Sequence, residues 1–220
     1  MTKIIEVDHV TKRFKNKLAL NDVSFSIDAS KIYGFRGPNG SGKSVTFKTV
    51  LGFIRPNSGT VKVLGKKIRQ DVIFAPDTGF AISEYGLLED KTGLENLNLL
   101  KVLNDDQASQ AEAILQRVGL DPANPLKLKE YSLGMRQRLL IAAALLGDKQ
   151  ILLFDEPTNA LDEDGQDFLA QLLLELKDQG KTILVSSHDK DFLNQVADHI
   201  FVYSEGKIVK ELEQDHEVEA

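Results

Sequence analysis

Gly37-Pro38-Asn39-Gly40-Ser41-Gly42-Lys43-Ser44 places a lysine and a hydroxyl directly after a glycine-rich run, matching the spacing G-x-x-x-x-G-K-[ST] in full. Glycines let successive backbone N–H groups converge on one point, and a helix starting at about Lys43 adds the positive end of its dipole. That combination suits phosphate oxygens. Lys43 is expected to reach the β- and γ-phosphates of a nucleotide and Ser44 to ligate Mg²⁺, with Val45 continuing the nucleotide-binding segment. The strand-like run Ile32–Phe35 before the loop supplies the context the motif needs. A chance glycine-rich turn would leave that strand and the following helix unexplained.

A second chemical feature is Ile151-Leu152-Leu153-Phe154-Asp155-Glu156, four apolar residues running into two carboxylates. A buried parallel strand ending this way presents its acids at the edge of the sheet where ligands bind in open α/β folds. Asp155 is expected to hold Mg²⁺ opposite Ser44, and Glu156 to polarise an attacking water as general base. Taken alone, an acidic strand end reads equally well as a solvated loop; beside a phosphate loop it reads as catalytic.

These residues need a scaffold, and the chain shows one. Apolar runs of strand length recur at Ile4–Val7, Val23–Ile27, Ile32–Phe35, Thr60–Leu64, Ile151–Phe154, Thr182–Val185 and Ile200–Tyr203. The early ones follow one another closely, as in an antiparallel element. The later ones alternate with helical segments, as in a parallel sheet with crossovers. Leu169, Leu172, Leu173 and Leu176 fall on one helical face, which predicts a helix over about 164–179 stopped near Gly180. Between 84 and 147 strand candidates are few, and Leu94–Leu103, Ala108–Val118 and Gly134–Leu146 read as helices. The expected fold is therefore α/β, a phosphate-loop nucleotide-binding core with a mostly parallel sheet, an N-terminal antiparallel β element and an inserted helical lobe. We expect one domain over 1–220, with core segments 1–82 and 148–210, the lobe at 83–147 and an acidic, solvated tail at 211–220.

Composition narrows the function. The 220 residues carry 27 Lys and Arg against 33 Asp and Glu, a net charge of −6, which argues against a general polyanion binder. There is no cysteine, so disulfide and thiolate chemistry are excluded. The longest uninterrupted apolar run, Leu139–Leu146, is far short of the roughly 20 residues a membrane span needs. Any membrane role is expected to come through a partner.

Tyr131-Ser132-Leu133-Gly134-Met135-Arg136-Gln137-Arg138 resembles the signature motif of ATP-binding cassette (ABC) ATPases, which usually reads L-S-G-G-Q-x-Q-R. Ser132, Gly134, Gln137 and Arg138 match; Leu133 and Met135 replace a Gly and a Gln, a variant similar to the ATPases of drug and bacteriocin exporters. Asn159-Ala160-Leu161-Asp162 is similar to the family's D-loop, His188 in Ser186-Ser187-His188-Asp189 matches its switch histidine, and Phe14 stands where its adenine-stacking aromatic lies. The resemblance spans about residues 2–210. It implies ATP and Mg²⁺ as ligands and a head-to-tail pair of ATPase subunits. In that pair the Ser132–Gly134 segment of one chain, with Asp162 nearby, closes on the nucleotide held by Gly37–Val45 of the other. It further implies separate integral membrane permease subunits, a cytoplasmic place on the inner face of the membrane, and no nucleic-acid partner.

One position departs from the family. Its lobe usually opens with a Gln that contacts Mg²⁺ and the attacking water; aligning Leu87–Leu97 puts Ser83 there, with Glu84 one residue on. Ser83 is carried as a metal-site candidate and Glu84 as its substitute, with modest ATPase activity expected. The competing class, a soluble ABC ATPase acting on ribosomes or DNA, is disfavoured by the single phosphate loop, the absence of cysteine and the acidic charge. A small-molecule kinase would leave the signature, the D-loop and His188 unexplained.

Overall fold

The computed structural model describes residues 3–82, 86–104 and 106–214. The strand running into the two acids, β7 (Ile151–Asp155), is buried along its first four residues because it sits inside a sheet covered on both faces. Parallel neighbours flank it: β6 (Thr78–Ala81) on one side and β8 (Thr182–Ser187) on the other. Beyond β8 come β3 (Ile32–Arg36) and β9 (His199–Ser204), both parallel to their neighbours, and then the antiparallel edge strand β10 (Lys207–Glu213). A separate four-stranded antiparallel sheet runs in the order β2 (Lys17–Asp28), β1 (Lys3–Phe14), β4 (Ser58–Val63), β5 (Lys66–Lys67).

Alternation along the central strands divides the core in two. Ile32, Leu152, Phe154, Ile183 and Val185 face a cluster built with the helices. These are α2 (Gly93–Leu103), α3 (Ala111–Arg117), α4 (Leu133–Ala144), α5 (Glu163–Asp178) and α6 (Lys190–Val196). Tyr33, Phe35, Leu153 and Leu184 face the other way, packing with the antiparallel sheet and with α1 (Lys43–Val50) through Phe47 and Val50. Burying a Leu or Phe is worth about 1.5–3 kcal/mol. Both faces of β7 are therefore strongly held, which fixes the acids at its end.

The antiparallel element, the mainly parallel sheet and the segment rich in helices are as expected, with several local corrections. The helix expected from Ala108 begins at Ala111, because the Asp106 carboxylate accepts from the N–H of Ala108 and Ser109 and holds a turn there. α4 stops at Ala144, and a short 3₁₀ turn follows with Gly147 at φ 75°. β5, β6 and β10 were not expected. In β6, Gly79 is required by packing: a Cβ there would stand 2.0 Å from the Ala144 carbonyl oxygen. The tail expected at 211–220 does not begin at 211. Glu211, Leu212 and Glu213 pair with Phe201, Ile200 and His199 as the end of β10, since the hairpin partner satisfies their backbone groups; residues 215–220 lie outside the described residues. Among the described residues, no helix is long and apolar enough to cross a membrane.

Candidate functional site

Three adjacent strands, β3, β8 and β7, end together, so residues distant in sequence meet at one edge. The register sets Arg36 beside Ser187 and Asp155 beside Ser186. Gly37 therefore leaves the sheet next to the segment bearing His188, and one strand further lie Asp155 and Glu156.

The phosphate loop folds as its glycines require. Gly40 and Gly42 adopt φ of 79° and 115°, the left-handed region open to glycine. A Cβ on Gly37 would stand 2.5 Å from the Tyr203 carbonyl oxygen, and one on Gly42 2.9 Å from that of Ala19. The Ser41 N–H donates to the Pro38 carbonyl at 3.2 Å, while Pro38, Asn39 and Gly40 face solvent. α1 starts from Gly42 with no side-chain cap and no acid in its first turn, leaving its terminal N–H groups directed at the loop.

Lys43 is 4% exposed, and its ammonium donates to the Gly37 carbonyl at 2.7 Å and the Pro38 carbonyl at 3.3 Å. It also forms an ion pair with Glu156 Oε1 at 2.9 Å. The other Glu156 oxygen meets His188 Nδ1 at 3.0 Å. Ser44 Oγ donates to Asp155 Oδ1 at 3.0 Å, joining the hydroxyl and carboxylate expected to share a metal. Lys43, Ser44, Asp155, Glu156 and His188 thus form one connected cluster. Together they offer a cation, a helix N-terminus, two oxygen ligands for a divalent ion and a carboxylate backed by an imidazole.

Several supporting groups are not among the expected site residues. Ser186 Oγ donates to Asp155 Oδ1 at 2.7 Å and accepts from the Glu156 N–H at 2.8 Å, tying both acids to β8. Thr46 Oγ1 donates to the Gly42 carbonyl at 3.1 Å and lies in hydrogen-bond contact with the Tyr203 hydroxyl at 3.2 Å, whose titration burial pushes upward, keeping it protonated. The turn between β9 and β10 also braces the loop, since the Gly206 N–H donates to the Ser41 carbonyl at 2.8 Å. Glu156 itself adopts φ 50°, a strained conformation for a non-glycine residue at the point where its carboxylate is aimed.

The cleft over the loop, about 190 Å³, is lined by Phe14, Asn39, Gly40, Lys43, Ser44 and Val45 among others. Phe14 is 43% exposed, with the Lys12 ammonium 4.9 Å from its ring centroid. A larger concavity of about 950 Å³, lined by Glu6, Asp28, His199 and Glu213, contains no residue of the phosphate loop, so the chemistry is assigned to the smaller cleft.

The signature residues sit apart. Ser132 caps α4, its hydroxyl accepting from the Met135 N–H at 3.2 Å. Gly134 lies against the D-loop of its own chain: a Cβ there would stand 3.2 Å from the Ala160 carbonyl oxygen. Asp162 caps α5 through the Gly165 N–H at 3.0 Å. Among the described residues, no hydrogen bond or ion pair joins Ser132, Gly134 or Asp162 to the Lys43 cluster. Buried Gln137 and half-buried Arg138 face inward, Arg138 donating to the Val118 carbonyl at 2.8 Å and fastening α4 to the end of α3. Ser83 and Glu84 lie outside the described residues.

Comparison with known proteins follows the same lines. Residues 20–159 match the family model described as ABC transporter. The chain is 35% identical, over 96% of its length and 70% of the relative's, to the bacitracin transport ATP-binding protein BcrA of Enterococcus faecalis. It is 32% identical, over 96% of its length and 92% of the relative's, to the lantibiotic transport ATP-binding protein SrtF of Streptococcus pyogenes. The dimeric post-hydrolysis structure of the ATP-binding cassette MJ0796, bound to ADP and Pi, superposes with a TM-score of 0.86. It has 26% identity and covers 96% of this chain and 98% of that one.

Proposed function

The chain belongs to the ABC transporter family, and from that premise we propose that it works as one of two identical ATPase subunits that drive separate membrane permease subunits of an exporter. The observation that carries the site assignment is the connected cluster of Lys43, Ser44, Asp155, Glu156 and His188 at the ends of three neighbouring strands.

The local chemistry fits a nucleoside triphosphate. The Gly37 and Gly42 cradle, where a Cβ would collide with backbone, lets main-chain N–H groups approach phosphate oxygens closely. An incoming phosphate competes with Glu156 for the Lys43 ammonium, so binding the triphosphate releases that carboxylate toward water. Ser44 and Asp155 are oxygen donors suited to Mg²⁺. Two such ligands leave the remaining positions to phosphate oxygens and water, the usual arrangement for this ion. When bound there, Mg²⁺ would supply neutralisation of phosphate charge. Glu156 accepts a proton from the attacking water as its oxygen bonds to the γ-phosphorus. The bond from that phosphorus to the β–γ bridging oxygen then breaks, leaving ADP and phosphate. His188 holds Glu156 Oε2 and contacts the γ-phosphate.

The Ser132–Gly134 segment, on a helical lobe at 83–147 set beside the core at 1–82 and 148–210, completes the site of a second copy. Closure of the pair on two ATP molecules and its opening after hydrolysis move the permease. The chain would then work at the cytoplasmic face of the membrane, held there by its permease. The test is turnover and light scattering on Glu156→Gln. ATP should bind, hydrolysis should fall by about 10²–10⁴-fold, and the ATP-bound chain should run as a dimer. Near-normal hydrolysis would remove Glu156 from the general-base role.

A further inference from the structure

The hairpin joining β1 to β2 turns over Lys15 and Asn16, which makes Phe14 and Lys17 cross-strand partners. Cross-strand partners project from the same face of a hairpin, so the ring and the ammonium border one opening. Both line the cleft over the phosphate loop, and Lys17 Nζ lies 3.7 Å from the point where a Cβ on Gly40 would stand.

The cations around this cleft differ in what they already hold. Lys43 is buried against Glu156. Lys12, beside the cleft, donates to the Arg55 carbonyl at 2.7 Å and covers the ring of Phe14. The Lys17 side chain is exposed, and among the described residues its ammonium has neither a hydrogen bond nor an ion pair. A cation held at the lip of a polyanion site, and paired with no anion among the described residues, is placed for the ligand.

Which part of the ligand follows from order along the molecule. On the reading proposed above, the base stacks at Phe14 and the β- and γ-phosphates sit at Lys43 and the start of α1. The segment between them is the ribose and the α-phosphate, and Lys17, sharing the hairpin face of Phe14 and lining the same cleft as Lys43, borders that stretch. We infer that Lys17 contacts the α-phosphate of the bound nucleotide and so recognises the part common to ADP and ATP. It acts on retention of nucleotide, not on cleavage of the γ-phosphate. The inference rests on the phosphate-loop reading and adds to it a residue that lies outside every motif in the sequence.

Calorimetric titration of the full chain tests it, with ADP and, in EDTA to prevent turnover, with ATP. Lys17→Met should weaken both nucleotides by the same factor, about three- to tenfold. Lys17→Glu should weaken them further, and Lys17→Arg should stay close to the original chain. The graded series reports charge, which a contact with the neutral ribose would not produce. Affinities in Lys17→Met equal to those of the original chain would overturn the inference, as would a loss seen with ATP and absent with ADP. Lys43→Ala, run alongside, separates the two levels: unchanged ADP affinity in that variant would overturn the phosphate-loop reading, and this inference with it.

Discussion

Among the described residues, two helix N-termini share a property that the other α-helices lack. α1 and α4 have no acid in the first turn, whereas α2 has Glu95, α3 Glu112, α5 Glu163 and Asp164, and α6 Asp191. An acid there is favoured by about 0.3–1 kcal/mol through the helix dipole, so leaving it out keeps the positive end available for an outside anion. The two termini differ in everything else. α1 opens from a left-handed glycine into a cleft where its own chain supplies Lys43, Asp155, Glu156 and His188. α4 opens under a serine cap toward solvent, with Leu133 beside it 72% exposed. The first has its cation and its carboxylates supplied by one chain. On the proposal above, the second meets the nucleotide held by another copy of the chain.

The largest effect should follow from emptying the first terminus. Lys43→Ala is expected to weaken ATP binding by about 100-fold or more, and to destabilise the fold because the buried Glu156 Oε1 loses the ammonium paired with it. Adding Glu156→Gln to Lys43→Ala should recover stability without recovering affinity. Thermal melts and nucleotide titrations on the double-mutant cycle separate the structural and ligand roles of the pair. Recovery of both together would mean that Lys43 matters only as the counter-ion of Glu156.

The second terminus calls for a charge that respects its cap. Asp caps a helix as well as Ser does, so Ser132→Asp should leave the melting temperature nearly unchanged. It also places a carboxylate where the partner's phosphate would arrive. ATP binding to the single chain should persist while turnover falls at least about tenfold and ATP-dependent dimerisation is lost. The control is Thr92→Asp at the cap of α2, a terminus that already bears Glu95, where neither stability nor turnover should move appreciably. Full activity in Ser132→Asp would sink the composite site.

How much of this was legible in the sequence depends on whether one segment or two were needed. Lys43, Ser44, Asp155 and Glu156 each lie in a motif read along a single stretch, and the structure brings them together as expected. Ser186 bonds to both acids, yet its place opposite Asp155 is a matter of register between β7 and β8, which neither strand records alone. β6 escaped notice because Thr-Gly-Phe-Ala is short and carries a glycine, a residue that weakens strand propensity but is demanded here by the end of α4. The last three residues of β10 read as the start of an acidic tail because Glu211 and Glu213 outweigh Leu212, although an edge strand with solvated charges is how a sheet ends safely. Lys17 belongs to no motif, and its meaning comes from the hairpin that sets it beside Phe14.

The smallest expected effect concerns the residue where the signature departs from its family pattern. Leu133 occupies a position the motif usually gives to glycine, at the first residue of α4. Its side chain buries little in the single chain, so nothing in the monomer accounts for a leucine there. If the second copy covers it, partial burial of the two equivalent side chains in the pair is worth about 1 kcal/mol in all, at roughly 25 cal/mol per Å² of apolar area. Leu133→Gly should then weaken ATP-dependent dimerisation about fivefold and leave ATP affinity of the single chain unchanged. The glycine also costs helix stability, up to about 1 kcal/mol, so Leu133→Ser serves as the companion variant, polar yet with a smaller helix penalty. A fivefold loss common to both variants places Leu133 in the interface. Unchanged dimerisation in both would mean that α4 meets its anion without help from the side chain beside it, and that the pairing surface lies wholly in the loops around Ser132 and Asp162.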